Sequence, residues 1–280
     1  MTWTFTRDLD DFLATAEPAA AAHPARNTLL LTITAALKRH GPRFYGDSAP
    51  LYGWWRSPAG AVDGAVVWTP PHPLQVGVVP GEATPSLAHA LDEWRVTAVN
   101  AERSVADALT ASWPGRTTTQ EQRLYRLAEL IPPSPCPAGQ ARTATTADRE
   151  LLTEWHRAFG RDTGQPLARV ASSVDDRTSY GGLALWEHRG VPVSMAGVTR
   201  PTAGTVRIAP VYTPPGLRGR GYAAAVTAHI SRGALDAGVA DVLLFTDIAN
   251  PTSNGVYRRI GYRPVADRAV VTRTVGAAVT

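Results

Sequence analysis

Residues 205–223, TVRIAPVYTPPGLRGRGYA, carry the residue types most suited to holding an anion. Val206, Ile208 and Val211 favour a strand, and Pro214-Pro215 ends it because proline donates no ladder hydrogen bond. Arg218-Gly219-Arg220-Gly221 then opens directly into a helical pattern, with Tyr222, Val226, Ile230 and Ala234 spaced four apart on one face. Glycine has no Cβ and accepts positive φ, so this turn lets backbone approach a ligand closely. The first N–H groups of the following helix have no intrahelical acceptor, which makes a phosphate site. Arg218 and Arg220 either add charge to it or brace the turn. Further on, Asn250 precedes Pro251 as an N-cap would, and Asn254 and Tyr257 lie three apart on a shared face. An amide both donates and accepts, and a phenol of pKa about 10 holds a donatable proton at neutral pH. The plainer roles are capping for Asn250 and core packing for Tyr257.

The run R-G-R-G-Y-A fits the pattern [Q/R]-x-x-G-x-[G/A], and the segment LLFTDIANPTSNGVYRRIGYRPV supplies a strand, an Asn-initiated helix and a closing strand after it. In order, spacing and residue type, residues 141–271 resemble the GNAT superfamily of N-acetyltransferases in a tandem arrangement. The resemblance implies acetyl-CoA as cosubstrate, without a metal, and direct attack of a primary amine on it. It places Val211, Tyr212 and Thr213 in the strand that pairs with the pantetheine arm, Val211 and Thr213 through their backbones. Backbone N–H groups of Gly219, Gly221, Tyr222 and Ala223 would meet the pyrophosphate, with Arg218 and Arg220 beside them. Asn254 and Asn250 would contact the pantetheine, and Arg259 would reach the 3′-phosphate or lie on a solvated face. Tyr257 would protonate the departing thiolate. No general base is evident; Glu187 and Asp247 are the carboxylates in reach of that role. Alternatives are an acyltransferase for a larger acyl-CoA and a non-catalytic acyl-CoA-binding module.

The composition is compatible with that reading. Of 280 residues, 44% are hydrophobic and 19% charged, enough for a sizeable core. No apolar run reaches the ~18 residues of a membrane span, and the start of the chain has no secretory pattern, so a cytoplasmic protein without a membrane partner is expected. Cys136 is the single cysteine and has no metal-spaced neighbours. Net charge is +4, but Lys38 is the one lysine and the arginines are scattered, which argues against a nucleic-acid partner. The expected partner is a small-molecule or peptide amine, with homodimerisation left open. His156 and His229 read as helix-surface or interface residues.

These residues need a scaffold, and the pattern predicts an α/β fold of two GNAT-like halves, each a mixed, mostly antiparallel sheet flanked by helices. Helices are expected over 8–13 and 27–39, the second capped by Asn27. Three strand-like runs follow, LYGWWRS, AVDGAVVWT and LQVGVV, then a helix over 85–112; residues 120–130 read as strand or helix. The second half begins with a strand at 141–144, a helix at 148–159 capped by Thr146 or Asp148, a polar helix at 172–180, and strands at 182–187, 191–199 and 205–212. An offset of 131 residues brings Trp55, Val62, Ala65, Val67 and Pro70 onto Trp186, Val193, Ala196, Val198 and Pro201, which suggests a diverged duplication. Where the second copy reads PPGLRGRGYAAA the first reads VPGEATPSLAHA, with acidic Glu82 and no arginine. The expected domains are a degenerate N-terminal half at 1–130, a proline-rich linker at 131–140 and a catalytic half at 141–280.

Overall fold

The computed structural model describes residues 2–164 and 169–274. Its elements repeat once in the same order. The first series is β1 (Thr2–Thr6), α1 (Leu9–Ala21), α2 (Thr28–His40), β2 (Leu51–Arg56), β3 (Val62–Trp68), β4 (Leu74–Val76), α3 (Thr84–Glu93), β5 (Ala98–Glu102), α4 (Arg103–Leu109) and β6 (Thr117–Leu127). The second is β7 (Gln140–Thr143), α5 (Arg149–Asp162), α6 (Val170–Ser179), β8 (Leu183–His188), β9 (Val191–Val198), β10 (Thr205–Tyr212), α7 (Tyr222–Asp236), β11 (Asp241–Asp247), α8 (Pro251–Arg259) and β12 (Tyr262–Thr272). Two compact units result, and their borders are not linear in sequence. The first takes in the chain to Leu124 together with 247–249 and β12 from Val265; the second begins at Tyr125.

In the first unit β1 to β4 pair antiparallel in sequence order, β4 runs parallel to β5, and β5 pairs antiparallel with Arg268–Thr272 of β12. Helices α1 and α2 bury Phe12, Leu13, Leu30, Leu31 and Leu37 against Tyr52, Trp54 and Val67. Each such side chain contributes about 1.5–3 kcal/mol when removed from water. The strand β1 has no counterpart in the sequence expectations. The helix expected over 85–112 is corrected: Arg95 turns left-handed at φ 53°, and Ala98–Glu102 is a strand, largely buried beside β4. Two amphipathic helices separated by a short buried strand give a run of apolar residues that no single period resolves.

The second unit repeats the plan, with β7, β8, β9 and β10 antiparallel in order and β10 parallel to β11. The two series share a mark in the backbone. Register shifts fall between Trp55 and Arg56 in β2 and between Trp186 and Glu187 in β8, the same point at the 131-residue offset. Asp148 takes the N-cap position of α5, one of the two expected, but its side chain makes no cap bond there; it accepts from the Thr145 N–H at 2.8 Å, closing the short 3-10 turn that leads into the helix. Tyr222, Val226 and Ile230 of α7 face one core with Val206, Ile208, Val242 and Leu244.

Candidate active site

The parallel pairing of β10 with β11 runs from Thr205↔Asp241 to Ile208↔Leu244 and stops there. Beyond it, among the described residues, Val211 and Tyr212 pair only with β9, at Ala196 and Met195. Two parallel strands that part in this way leave one side of β10 unpaired, which an extended ligand can fill as an added strand would. Tyr212 turns its ring into the core with Leu152, Trp155 and Met195, while Val211 packs against the core around α7. Ser194, fully buried on β9, fixes this stretch: its Oγ donates to the Tyr212 carbonyl (3.0 Å) and shares a hydrogen bond with Thr213 Oγ1 (2.8 Å).

The turn that follows holds Gly219 at φ 77° and Gly221 at φ 82°, the second being the N-cap of α7. An L side chain rarely adopts that conformation, so glycine is needed at both points. Among the described residues nothing lies within 4 Å of a Cβ at Gly219, and at Gly221 the Pro137 ring comes nearest, at 3.7 Å. The N–H groups of Gly219, Arg220, Gly221, Tyr222 and Ala223 have no backbone acceptor among the described residues. Arg218 is committed elsewhere: its Nε donates to the Thr213 carbonyl at 2.9 Å, and its guanidinium pairs with Asp162. Arg220 is exposed, donates to the Gly216 carbonyl (3.2 Å) and makes no ion pair among the described residues. The turn therefore offers mainly backbone donors, with Arg220 as the side-chain cation beside them that makes no ion pair among the described residues.

The helix α8 presents the remaining candidates. Asn250 caps it, accepting from Ser253 N at 3.0 Å. Asn254 is buried, and both ends of its amide are engaged: Oδ1 accepts from Tyr125 (2.8 Å) and Nδ2 donates to the Asn250 carbonyl (2.7 Å). Arg259 is exposed, with its guanidinium folded back over Gly255. Tyr257 is half-buried and meets the Tyr262 ring edge-on, with centroids 6.1 Å apart; its hydroxyl makes no hydrogen bond among the described residues. Burial pushes its phenol up to about 12, because the phenolate would lose hydration. It thus keeps its proton throughout the neutral range.

Residues 148–262 match the family model described as Acetyltransferase (GNAT) family. This segment is a GNAT domain. The wider chain shares the fold of solved GNAT proteins. A GCN5-related N-acetyltransferase from Sphaerobacter thermophilus superposes with TM-score 0.62 at 18% identity, covering 99% of this chain and 98% of that one. A GNAT-family acetyltransferase from Colwellia psychrerythraea gives 0.62 at 13% identity over 98% and 100% of the two chains. A tandem GNAT protein from the clavulanic acid biosynthesis pathway gives 0.60 at 15% over 99% and 100%. No curated protein matches the chain in sequence. The two series of elements are accordingly two GNAT-like halves.

Within the GNAT domain, the two carboxylates considered as bases are already engaged. Glu187 is paired with Arg142 at 2.7 Å, and the same guanidinium grips Asp148, whose carboxyl it holds down at about 2. Asp247 accepts from Ala249 N at 2.8 Å. His156 lies not on the surface but in the core, 2% exposed, with Nδ1 donating to the Leu152 carbonyl at 2.7 Å. Burial, with the Arg177 cation nearby, pushes its imidazole down to about 4, so it is neutral. His229 is exposed. Sequence reasoning missed Ser194, Tyr125 and Arg177, which donates to the Ala209 carbonyl at the irregular point of β10. Isolated polar residues in a strand or helix have no periodic signature. Among the described residues no cluster of His, Cys, Asp and Glu is arranged to hold a metal, and no helix is long and apolar enough to cross a membrane.

Proposed function

We propose that the chain is an acetyl-CoA-dependent N-acetyltransferase acting on a primary amine of a small molecule or peptide, with its chemistry in the second unit. The observation that carries this reading is the parting of β10 from β11 directly before the turn at Gly219 and Gly221. An unpaired strand edge suits the amide-bearing pantetheine, and five adjacent unbonded N–H groups suit a pyrophosphate, so the residues present fit the cosubstrate. Val211, Tyr212 and Thr213 would hold the arm, and Gly219, Arg220, Gly221, Tyr222 and Ala223 the phosphates. Acetyl-CoA supplies an activated acyl thioester.

Tyr257 keeps a proton at neutral pH and offers it from a hydroxyl with no competing protein acceptor among the described residues. A phenol in that state serves as general acid to a leaving thiolate. The attacking amine must arrive neutral, and with Glu187 and Asp247 engaged it loses its proton to water. In this reading Arg218, Asn250 and Asn254 support the site rather than touch the ligand, and Arg259 faces solvent. The first unit shapes the protein and carries no transfer chemistry.

Calorimetric titration with acetyl-CoA, followed by thiol release against a panel of amines, tests the proposal. One molecule bound per chain and amine-dependent release of CoA thiol are expected. Absence of acetyl-CoA binding to the folded protein would overturn it.

A further inference from the structure

The helix α8 is nine residues long, and Asn254 is its buried residue. A helix this short is marginal by itself and takes its position from what it packs on. Here the deepest contact is polar. Tyr125, at 0% exposure on β6, donates its hydroxyl to Asn254 Oδ1 (2.8 Å) and accepts from Arg258 Nε (3.2 Å). Asn254 returns to the Asn250 carbonyl at 2.7 Å. Asn250, Asn254 and Arg258 recur every four residues and so share one face of α8, and Tyr125 joins the last two. Tyr257 follows Asn254 by three residues and packs, half-buried, on the core that includes Tyr125 and Tyr262. Its ring meets that of Tyr262, whose hydroxyl shares a hydrogen bond with Ser231 Oγ at 2.8 Å.

The geometry points to Tyr125 as a positioning residue for Tyr257: through Asn254 and Arg258 its hydroxyl sets the rotation of α8, and with it the place from which the Tyr257 phenol donates. The inference rests on the assignment of Tyr257 as general acid. Hydrogen bonds suit this task because they are directional, whereas an apolar contact tolerates sliding and rotation. Tyr125→Phe removes the hydroxyl and leaves the ring, so the buried amide of Asn254 loses its donor while the core volume is conserved.

Two measurements separate the claims. In the first, the Tyr257 phenol is titrated by NMR of ring-labelled tyrosine without any substrate. The parent should titrate near 12, and Tyr125→Phe should bring it at least half a unit towards the ordinary 10 as the ring shifts to water. An unchanged titration in the folded variant would overturn the inference whatever Tyr257 does in turnover. The second is a double-mutant cycle in kcat, using thiol release from acetyl-CoA with the fastest amine of the panel. Tyr125→Phe should lower kcat about tenfold in the parent, with the acetyl-CoA KM within twofold, and have no effect in the Tyr257→Phe background. Equal losses in both backgrounds would also overturn it, since Tyr125 would then act elsewhere. A normal kcat for Tyr257→Phe alone would instead sink the general-acid assignment, leaving the titration to decide the positioning. If Tyr125→Phe does not fold, the exposed Arg258→Ala takes its place, with the same shift in smaller measure expected and none counting against the inference.

Discussion

The same strand junction is open in one half and filled in the other. In the second unit β10 leaves β11 at Ile208, and among the described residues Val211 and Tyr212 have no partner on the β11 side, while Arg218 takes the Thr213 carbonyl. In the first unit the equivalent β4 pairs with β5 only at Leu74 and Gln75. There the next backbone groups are taken by side chains: Arg268 Nη2 donates to the Val76 carbonyl (3.0 Å), and Val78 N donates to Asn27 Oδ1 (2.7 Å). The turn that follows has no left-handed glycine, carries Glu82, and places Pro85, which has no N–H to offer, in the first turn of α3. Two halves can therefore keep one strand order while side chains in one of them take up backbone groups that the other leaves open. What separates the halves is who satisfies the backbone.

The largest expected effect sharpens that contrast at α8, whose counterpart α4 carries no tyrosine. Tyr257→Phe should lower turnover roughly 10²–10⁴-fold, as loss of a general acid does, with acetyl-CoA affinity nearly unchanged. The parent should also lose rate as pH nears 12, where the phenol ionises, and the variant should lack that limb. Equal turnover with chemistry rate-limiting would return Tyr257 to the core.

Next comes acid stability, read in the second unit through His156. Its folded pKa of about 4 lies below the ordinary 6.5, so between those values the unfolded chain binds a proton that the native state refuses. Stability should hold above pH 6.5, fall by roughly 3 kcal/mol towards pH 4, and be level in this respect below it. The Asp148 carboxyl, held near 2 by Arg142, adds its own loss only between about 3.8 and 2. Denaturant melts at pH 7 and 4.5 should show the loss in the parent and a reduced loss in His156→Gln.

In the first unit, Asn27→Ala removes the acceptor of Val78 N and the donor to the Ala20 carbonyl, both buried or half-buried links. A destabilisation of about 2 kcal/mol is expected from the orphaned groups. Acetyl-CoA stoichiometry should stay at one per chain, since Glu82 still opposes an anion. A second bound molecule would break the comparison. The smallest effect contrasts two glycines. Gly221→Val should weaken acetyl-CoA about tenfold, or about 1.4 kcal/mol, because φ 82° excludes valine without strain. Gly81→Val, at an ordinary φ with no neighbour within 4 Å, should change binding little.

Much of the second unit was legible because its signals are local. The face of Tyr222, Val226 and Ile230 needs only a helical period, and the requirement for glycine at 219 and 221 needs only the local backbone. The expectation of a capping helix start at Asn27 shows the limit. Asn27 does precede α2, yet its side chain makes no cap bond and reaches Val78, fifty-one residues on. Asn254 is similar: its spacing puts it on one face with Tyr257, but a contact with Tyr125, 129 residues away, claims its amide.

The sequence by itself determined the class of the fold and the strand, glycine turn and helix over 205–236, since periodicity, proline breaks and glycine are properties of short segments. Tertiary structure alone decided which polar groups remain available. Arg218 is claimed by Asp162, Glu187 by Arg142, Asn254 by Tyr125 and the first unit's strand edge by Arg268. A hydrogen bond depends on distance and direction between atoms far apart in the chain, and residue type carries neither.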